Sequence, residues 1–575
     1  MPDLPDDDAA DVEEPVLPTP SEIEALHLDE PGVWTDEAAD ELPAAGGGGR
    51  SLLAASAAPA VGTMLSRVTG LVRVAALTAA LGLTSLADVY NLSNTTPNIL
   101  YELVLGGVLS ATLVPIFTQT NADHDDDTAS VLVTVSFVAI AVLTLVAVLL
   151  SPVINWVLAL PLEGLERRRA VALGDDLLAL LLPQILFYGV TTLATAMLNA
   201  RRKFAAPAFA PILTNLVTAA AALGVYFFVG PARGVAETRS SLWALGLGTT
   251  AGVAAMAAVL VPALRRADIR LRWNFQPRHP VVKQVARLSG WTVGFAMANQ
   301  VALLIVLSYA RRLGTGALST YQYAAIFFQL PYGLIAVSLM TAVLPELATA
   351  AKDGDDDAFS AKFREGLSLL LTFMVPAAGA YLLLGAPLVR ILLERGAFDA
   401  ESATQTAKML AGFSVGLPAF AVFLYVVRAF YARKNTRTPF VLNVVENGIN
   451  VLLLFPFTVL FGRYGLSVAY STAYWVAAVL AVFAINLAVP GILTFKTAGL
   501  FVRSAVVAVA VILVLVAVYL VTHNWFGPLA NLVVGLVVAT GTFAAATLVV
   551  RPHGFESAVD GLRLGIRRRF GRVRN

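Results

Sequence analysis

The sequence predicts an all-α polytopic membrane protein: fourteen transmembrane helices, arranged as two parallel-repeat six-helix lobes plus two extra helices. Three observations lead there. Of 575 residues, 57% are hydrophobic and only 14% charged, with a mean hydropathy of +0.74, whereas a soluble domain carries about 25% charged residues. Apolar segments long enough to cross a hydrocarbon layer of about 30 Å recur from Leu52 onward. Finally, LNARRKFAAPAFAPILTNL, starting at Leu198, recurs as FYARKNTRTPFVLNVVENG, starting at Phe430, an offset of 232. Without a gap, Ala200 matches Ala432, Arg201 matches Arg433, Pro207 matches Pro439 and Asn215 matches Asn447. Each copy reads as a span exit, a basic turn, a proline at the next helix start and an asparagine about two turns deeper. Six spans separate the copies, and an even number preserves orientation, so the lobes are parallel repeats.

In chain order, residues 1–50 hold 15 acidic side chains and a lone arginine, Arg50, and end in GGGGR. Nothing there can form a core, so the segment reads as a disordered acidic cytoplasmic tail. It lacks the basic start and apolar centre of a signal peptide. A partner in the cytoplasm is one use for such a tail; plain solvation is the other. The first lobe, 51–264, holds spans 54–82, 87–119, 129–156, 176–200, 207–230 and 241–264. A basic cytoplasmic linker, 265–287, follows. The second lobe, 288–489, holds spans 288–312, 317–350, 363–386, 404–432, 438–462 and 466–489. Residues 490–550 add spans 499–521 and 527–549, and a basic tail, 551–575, carries seven arginines.

Loop charge sets the orientation. With the N-terminus inside, cytoplasmic connections and the C-terminal tail carry 25 Lys and Arg, among them Arg201, Arg202 and Lys203. The opposite loops carry ten, including Arg167, Arg168, Arg169, Arg311 and Arg312. This bias puts both termini in the cytoplasm of a multi-pass cell-membrane protein. The acidic loop 120–128 dissents, but acidic residues count little in this rule.

The candidate site lies in the first two spans. Arg67 and Arg73 sit in an otherwise apolar helix, about 120° apart around it. Each arginine at a helix centre costs about 2.5–3.5 kcal/mol to insert. A hydrated cavity relieves that cost, as does pairing with Asp88 or Glu102, and a guanidinium fork matches phosphate oxygens. In the second span Asp88, Asn91, Thr95, Asn98 and Glu102 step by 3, 4, 3 and 4, an arc of roughly 80°. Such a stripe must face protein or water, because lipid cannot satisfy it. Pro97 interrupts the hydrogen-bond ladder beside it. Span 8 adds Tyr321, Gln322, Tyr323, Gln329 and two prolines. Deep in the second lobe, Asn299, Asn443, Glu446 and Asn447 offer oxygen donors for a weak cation site, with interhelical hydrogen bonding as the plainer use. Gly248 and Gly252 form a common packing pair.

Other chemistry has no foothold. There is no cysteine, and the five histidines fall in tails or loops. No phosphate-binding GxxxxGK[ST] loop, HExxH or GxSxG motif is present. The expectation is a transporter without an enzymatic centre or cofactor, driven by sodium or by the membrane potential, with membrane lipids as surroundings. The arginine-rich tail is an anchor on anionic lipid, and no nucleic-acid partner is expected.

The stretches SRVTGLVR, ADVYNLSNTTPNILYELVLGGVLSATLVP, LNARRKFAAPAFAPILTN and YARKNTRTP, in that order, resemble the MurJ (MviN) family of lipid II flippases. That family lies in the multidrug/oligosaccharidyl-lipid/polysaccharide exporter superfamily, and the resemblance covers about residues 54–550. It implies two six-helix lobes around a cationic cavity and a groove for a polyprenyl tail at the last two spans. It implies that Arg67, Arg73, Asp88, Pro97 and Asn98 hold family positions, and that the acidic extension is an actinobacterial elaboration. The chain departs at Tyr101 and Glu102, where well-studied members carry arginines. It departs again at Ala325, Ile326 and Gln329, in place of an Asp-Arg pair and a Glu. The substrate expected from this resemblance is the lipid-linked peptidoglycan precursor, flipped by alternating access, with Arg67, Arg73, Asp88, Asn91, Thr95, Asn98, Glu102 and Gln329 lining its path. The alternatives are a drug or other lipid-linked-oligosaccharide exporter of the same superfamily, and a membrane scaffold for cell-wall synthesis proteins.

Overall fold

The computed structural model describes residues 51–103, 113, 116–120, 125–230, 239–269, 271–288, 290–493, 495–522, 525, 527–552 and 555. The expected acidic tail, most of the second half of span 2 and most of the basic tail lie outside them.

Among the described residues the fold is helical throughout, apart from one isolated bridge between Arg395 and Phe398. In the first half, α1 (Ser51–Leu81) is followed by α2 (Ser85–Tyr101), α3 (Asp126–Leu149) and α4 (Ser151–Leu158). Then come α5 (Gly164–Leu181), α6 (Gln184–Ala200), α7 (Ala205–Phe228) and α8 (Arg239–Arg266). A short α9 (Pro280–Leu288) leads into α10 (Gly290–Ala310), α11 (Ala317–Pro331), a π turn (Tyr332–Ala336) and α12 (Val337–Asp353). The rest is α13 (Asp356–Leu393), α14 (Ala400–Ala432), α15 (Arg437–Phe461), α16 (Gly465–Ala488), α17 (Phe495–Thr522) and α18 (Pro528–Val550).

Twelve segments among the described residues are long and apolar enough to cross a membrane. One of them, Arg437–Ala488, is two helices, α15 and α16, joined by the turn Gly462–Tyr464. Span 2 is outside this set: its described helix, α2, has 17 residues. Two expected boundaries shift. Span 4 begins earlier, since α5 and α6 run almost continuously from Gly164, so Arg167, Arg168 and Arg169 belong to the first two helical turns rather than a loop. Span 9 is longer than expected, at 38 residues, and starts at Asp356, where Asp355 caps it by accepting from Ala358 N–H at 2.8 Å.

The repeat is reproduced in backbone detail. Helices α6 and α14 end at Ala200 and Ala432, and α7 and α15 begin at Ala205 and Arg437, each pair offset by 232. Both turns place one residue in the left-handed region, Arg202 at φ 56° and Lys434 at φ 58°. Both close with the same bonds: Lys203 N–H to Leu198 O at 2.8 Å, and Asn435 N–H to Phe430 O at 2.9 Å. This is the reach-back that satisfies the last carbonyls of a helix. Packing follows the repeat as well: α7 lies between α1 and α8, and α15 between α10 and α16. The glycine pair serves the first of these contacts, where a Cβ on Gly252 would meet Thr214 O at 3.0 Å.

Helices α17 and α18 pack on each other and on α13. Ser504 of α17 shares hydrogen bonds with Ser368 and Thr372 of α13, at 3.0 and 2.7 Å, which ties the pair to the second half. The interior of that half is aromatic: Phe328, Phe413, Phe420, Tyr470 and Tyr474 form consecutive ring contacts between 4.7 and 5.6 Å. Edge-to-face rings fill space and hold α11, α14 and α16 together.

Candidate functional site: the seam between the two halves

Span 1 brings its arginines to the seam. Arg67 and Arg73 are half-buried, and among the described residues neither makes a hydrogen bond or an ion pair. The alternative of a structural pairing with Asp88 is not what the side chains do. Arg67 instead lies across the seam against span 8, where a Cβ on Gly333 would meet its Nη1 at 2.5 Å and Nη2 at 2.7 Å. Arg73 lies about 9 Å further along α1, within electrostatic reach of Tyr90 and Tyr188. Among the described residues neither guanidinium has a protein anion beside it, which leaves fork donors of the kind that match phosphate oxygens.

Asp88 does something else. Its carboxylate accepts from Gly316 N–H at 2.6 Å, from Ser319 N–H at 2.9 Å and from the Ser319 hydroxyl at 2.7 Å. The two N–H groups are orphan donors at the start of α11, where a negative charge is favoured by the helix dipole. Asn91 donates to Ser319 Oγ at 3.0 Å and to Tyr323 OH at 3.1 Å. Thr95 accepts from Gln322 at 3.0 Å and donates to Asn91 O at 2.8 Å. The polar stripe is therefore real and faces the second half. Its first part is not water-lined, however: Asn91 is 7% exposed and Thr95 2%, because span 8 fills the space. Asn98 is half-buried, and Glu102 is buried and partnered. Gln329 is half-buried on span 8, one turn before Gly333.

Two further contacts close the same end of the seam. Ala397 N–H donates to Ala79 O at 2.8 Å, and Arg311 donates to Leu158 O at 2.9 Å. Sequence reading put Arg311 in a loop as a topology charge. It is buried at the end of α10, where a carbonyl at the end of α4 and the Asp88 field compensate it. Ala397 carried no signal that a sequence could show. Asp88, Asn91, Thr95, Arg311 and Ala397 all lie toward the end opposite the basic turns at Arg201 and Arg433, so the halves are locked together there.

The second-half cluster also forms. Asn443 and Asn447 each donate to Asn299 Oδ1 at 2.8 Å, joining α15 to α10. In the first half the repeat-related Asn215 donates to Ser66 O at 3.0 Å, joining α7 to α1. Glu446 is buried beside the second cluster, within electrostatic reach of Tyr321, Tyr470 and Tyr474. Among the described residues the amide oxygens of Gln300, Asn443 and Asn450 are buried without a partner. Amide oxygens with a carboxylate suit a hard cation. Among the described residues no group of three or more His, Cys, Asp or Glu side chains has metal-site geometry.

Comparison with known proteins agrees with this architecture. The solved structure "Lipid II flippase MurJ, inward closed conformation" superposes with a TM-score of 0.70 at 21% identity, covering 86% of this chain and 98% of that one. An inward-facing multidrug resistance MATE transporter of the MOP superfamily superposes at 0.63 with 12% identity, over 76% of this chain and 98% of that one. Among curated relatives, "Lipid II flippase MurJ" of Burkholderia cenocepacia is 32% identical over 422 residues, 71% of this chain and 78% of the relative. "Probable lipid II flippase MurJ" of Rhizobium tropici is 30% identical over 522 residues, 88% and 94% of the two chains. The family profile "Lipid II flippase MurJ" matches residues 77–538. The chain belongs to the MurJ family of lipid II flippases.

Proposed function

We infer that this protein is a lipid flippase that carries lipid II, the undecaprenyl-pyrophosphate-linked peptidoglycan precursor, from the inner to the outer leaflet of the cell membrane. The observation that carries the reading is the pair Arg67 and Arg73: unpaired cations at a seam whose far end is locked, in a chain of this family. The reading treats residues 51–264 and 288–489 as lobes, 265–287 as their linker and 490–550 as the seat of the lipid tail. The basic turns face the cytoplasm, as do both termini, so the locked end is the outer gate and the substrate enters from inside.

In this account the pyrophosphate replaces water around the two guanidinium groups, which the membrane otherwise makes costly. Release of the Asp88 and Arg311 contacts then lets the lobes open outward. Asn98, Glu102 and Gln329 line the route inward of the lock, and Asn91 and Thr95 join it when the lock opens. Energy comes from the membrane potential or a sodium gradient, with Asn299, Asn443, Glu446 and Asn447 as the cation-binding group. One charge crossing 100 mV releases about 2.3 kcal/mol, enough to bias two states more than tenfold. Residues 1–50 are assigned to a cytoplasmic partner. The test is native mass spectrometry of the purified protein. A bound polyprenyl-pyrophosphate lipid, lost in Arg67→Ala, supports the reading; its absence from wild type under gentle extraction opposes it.

A further inference from the structure

We propose that Gly333, with the π turn Tyr332–Ala336 around it, is the positioning residue that aims the Arg67 guanidinium into the seam. The inference rests on Arg67 being the pyrophosphate contact. It concerns what holds that contact in place when no carboxylate does.

Three observations meet here. Arg67 belongs to one half and Gly333 to the other, yet the side chain reaches the glycine: an ideal Cβ there would lie 2.5, 2.7 and 2.9 Å from Nη1, Nη2 and Cζ. All three distances are shorter than real Cβ contacts, so the guanidinium occupies space that any other residue would fill. The backbone is also irregular at this point. Val337 N–H bonds to Tyr332 O, five residues back, so the regular bond to Gly333 O is skipped and the turn is widened. Pro331, just before it, supplies no N–H to the ladder. Lastly, Arg67 makes no hydrogen bond or ion pair among the described residues. A guanidinium whose Nη1–Nη2 end abuts bare backbone is held there by packing, and the N–H groups of its side edge stay available to a ligand's oxygens. An aspartate in the same place would hold the arginine but use up its donors.

The chemistry of the ligand follows. Both Nη atoms lie nearer the Cβ position than Cζ does, so the Nη1–Nη2 end abuts Gly333 and the Nε–Nη side edge is the one left to match two oxygens of one phosphate group. A Cβ at 333 would rotate the fork away while disturbing only the mobile tip of a long side chain, so the fold should absorb it.

The experiment uses the full-length purified protein with inorganic pyrophosphate as probe, reading affinity by titration and folding by thermal melting. Gly333→Ala is expected to keep the wild-type melting temperature and lose about tenfold in affinity, a difference of about 1.4 kcal/mol. Arg67→Lys removes the Nη atoms that the Cβ would meet. In that background Gly333→Ala should therefore cost much less, which is the non-additivity of two side chains in contact. The proposal is overturned if Gly333→Ala binds pyrophosphate as wild type does while Arg67→Ala does not, in which case the reading of Arg67 survives. It is also overturned if Gly333→Ala lowers the melting temperature together with affinity, since the glycine is then structural. Arg67→Ala binding as wild type removes the reading of the arginine itself.

Discussion

Asp88 and Ser319, 231 residues apart, meet through two hydrogen bonds, at 2.9 Å from the backbone N–H and 2.7 Å from the hydroxyl. Together with Gly316 they make a carboxylate of one half the N-terminal cap of a helix in the other. A cap is worth about 1 kcal/mol, and a buried donor left without a partner costs about 1–3 kcal/mol more. Opening the seam must offset both at once, which gives the lock its energetic content.

The lock is therefore testable through accessibility. The chain has no cysteine, so single cysteines report without background. Thr95→Cys should resist a water-soluble thiol reagent in the otherwise native protein and react once Asp88→Ala is added. Asn98→Cys should react in both, and Leu92→Cys and Ile99→Cys in neither. Labelling of Thr95→Cys that is indifferent to Asp88 would show that this carboxylate does not hold the seam.

Arg67→Ala and Arg73→Ala should each abolish rescue of a flippase-depleted strain while the protein still reaches the membrane. Lysine at either position keeps the charge without the fork, so partial rescue is expected. Growth at wild-type rate with both alanines present would rule out anion capture in span 1.

If the second-half cluster binds sodium, the purified protein should melt at a higher temperature in sodium than in an equal concentration of choline, because a ligand stabilises the state that binds it. Asn447→Ala should erase that difference. An identical sodium effect in both proteins, or none in wild type, would leave Asn299, Asn443 and Asn447 as interhelical hydrogen bonds and the potential as the drive.

Deleting residues 1–50 removes 15 carboxylates and leaves every residue named at the seam in place. Flipping by the shortened chain should match wild type, while recovery of cytoplasmic binding partners should fall. Loss of flipping itself would assign the tail a part in transport.

What could be read from the sequence was whatever is local or repeated. The turns at Arg201 and Arg433 were legible because two stretches with the same residues fold the same way, down to a left-handed residue in each. The stripe from Asp88 to Glu102 was legible because polar groups at helical spacing must face something other than lipid. Its partner was not: Gly316 and Ser319 meet Asp88 only after the two halves of the chain have packed, and no local pattern announces that. Arg311 was misread because a cation at the end of a span looks like a loop charge until the carbonyl of Leu158 is seen beside it. Gly333 had no signal at all. A glycine in an apolar helix is ordinary, and the widened turn around it is visible only in the structure.

The central claim, that this chain moves lipid II between leaflets, is tested most directly in a bacterium depleted of its own flippase and supplied with this gene. The measurement is the fraction of cellular lipid II open to a lipid II-cleaving enzyme added outside. The account predicts that the externally cleaved fraction falls on depletion, returns with the wild-type chain and stays low with Arg67→Ala. If the wild-type chain, present in the membrane, leaves lipid II protected inside, the account is contradicted.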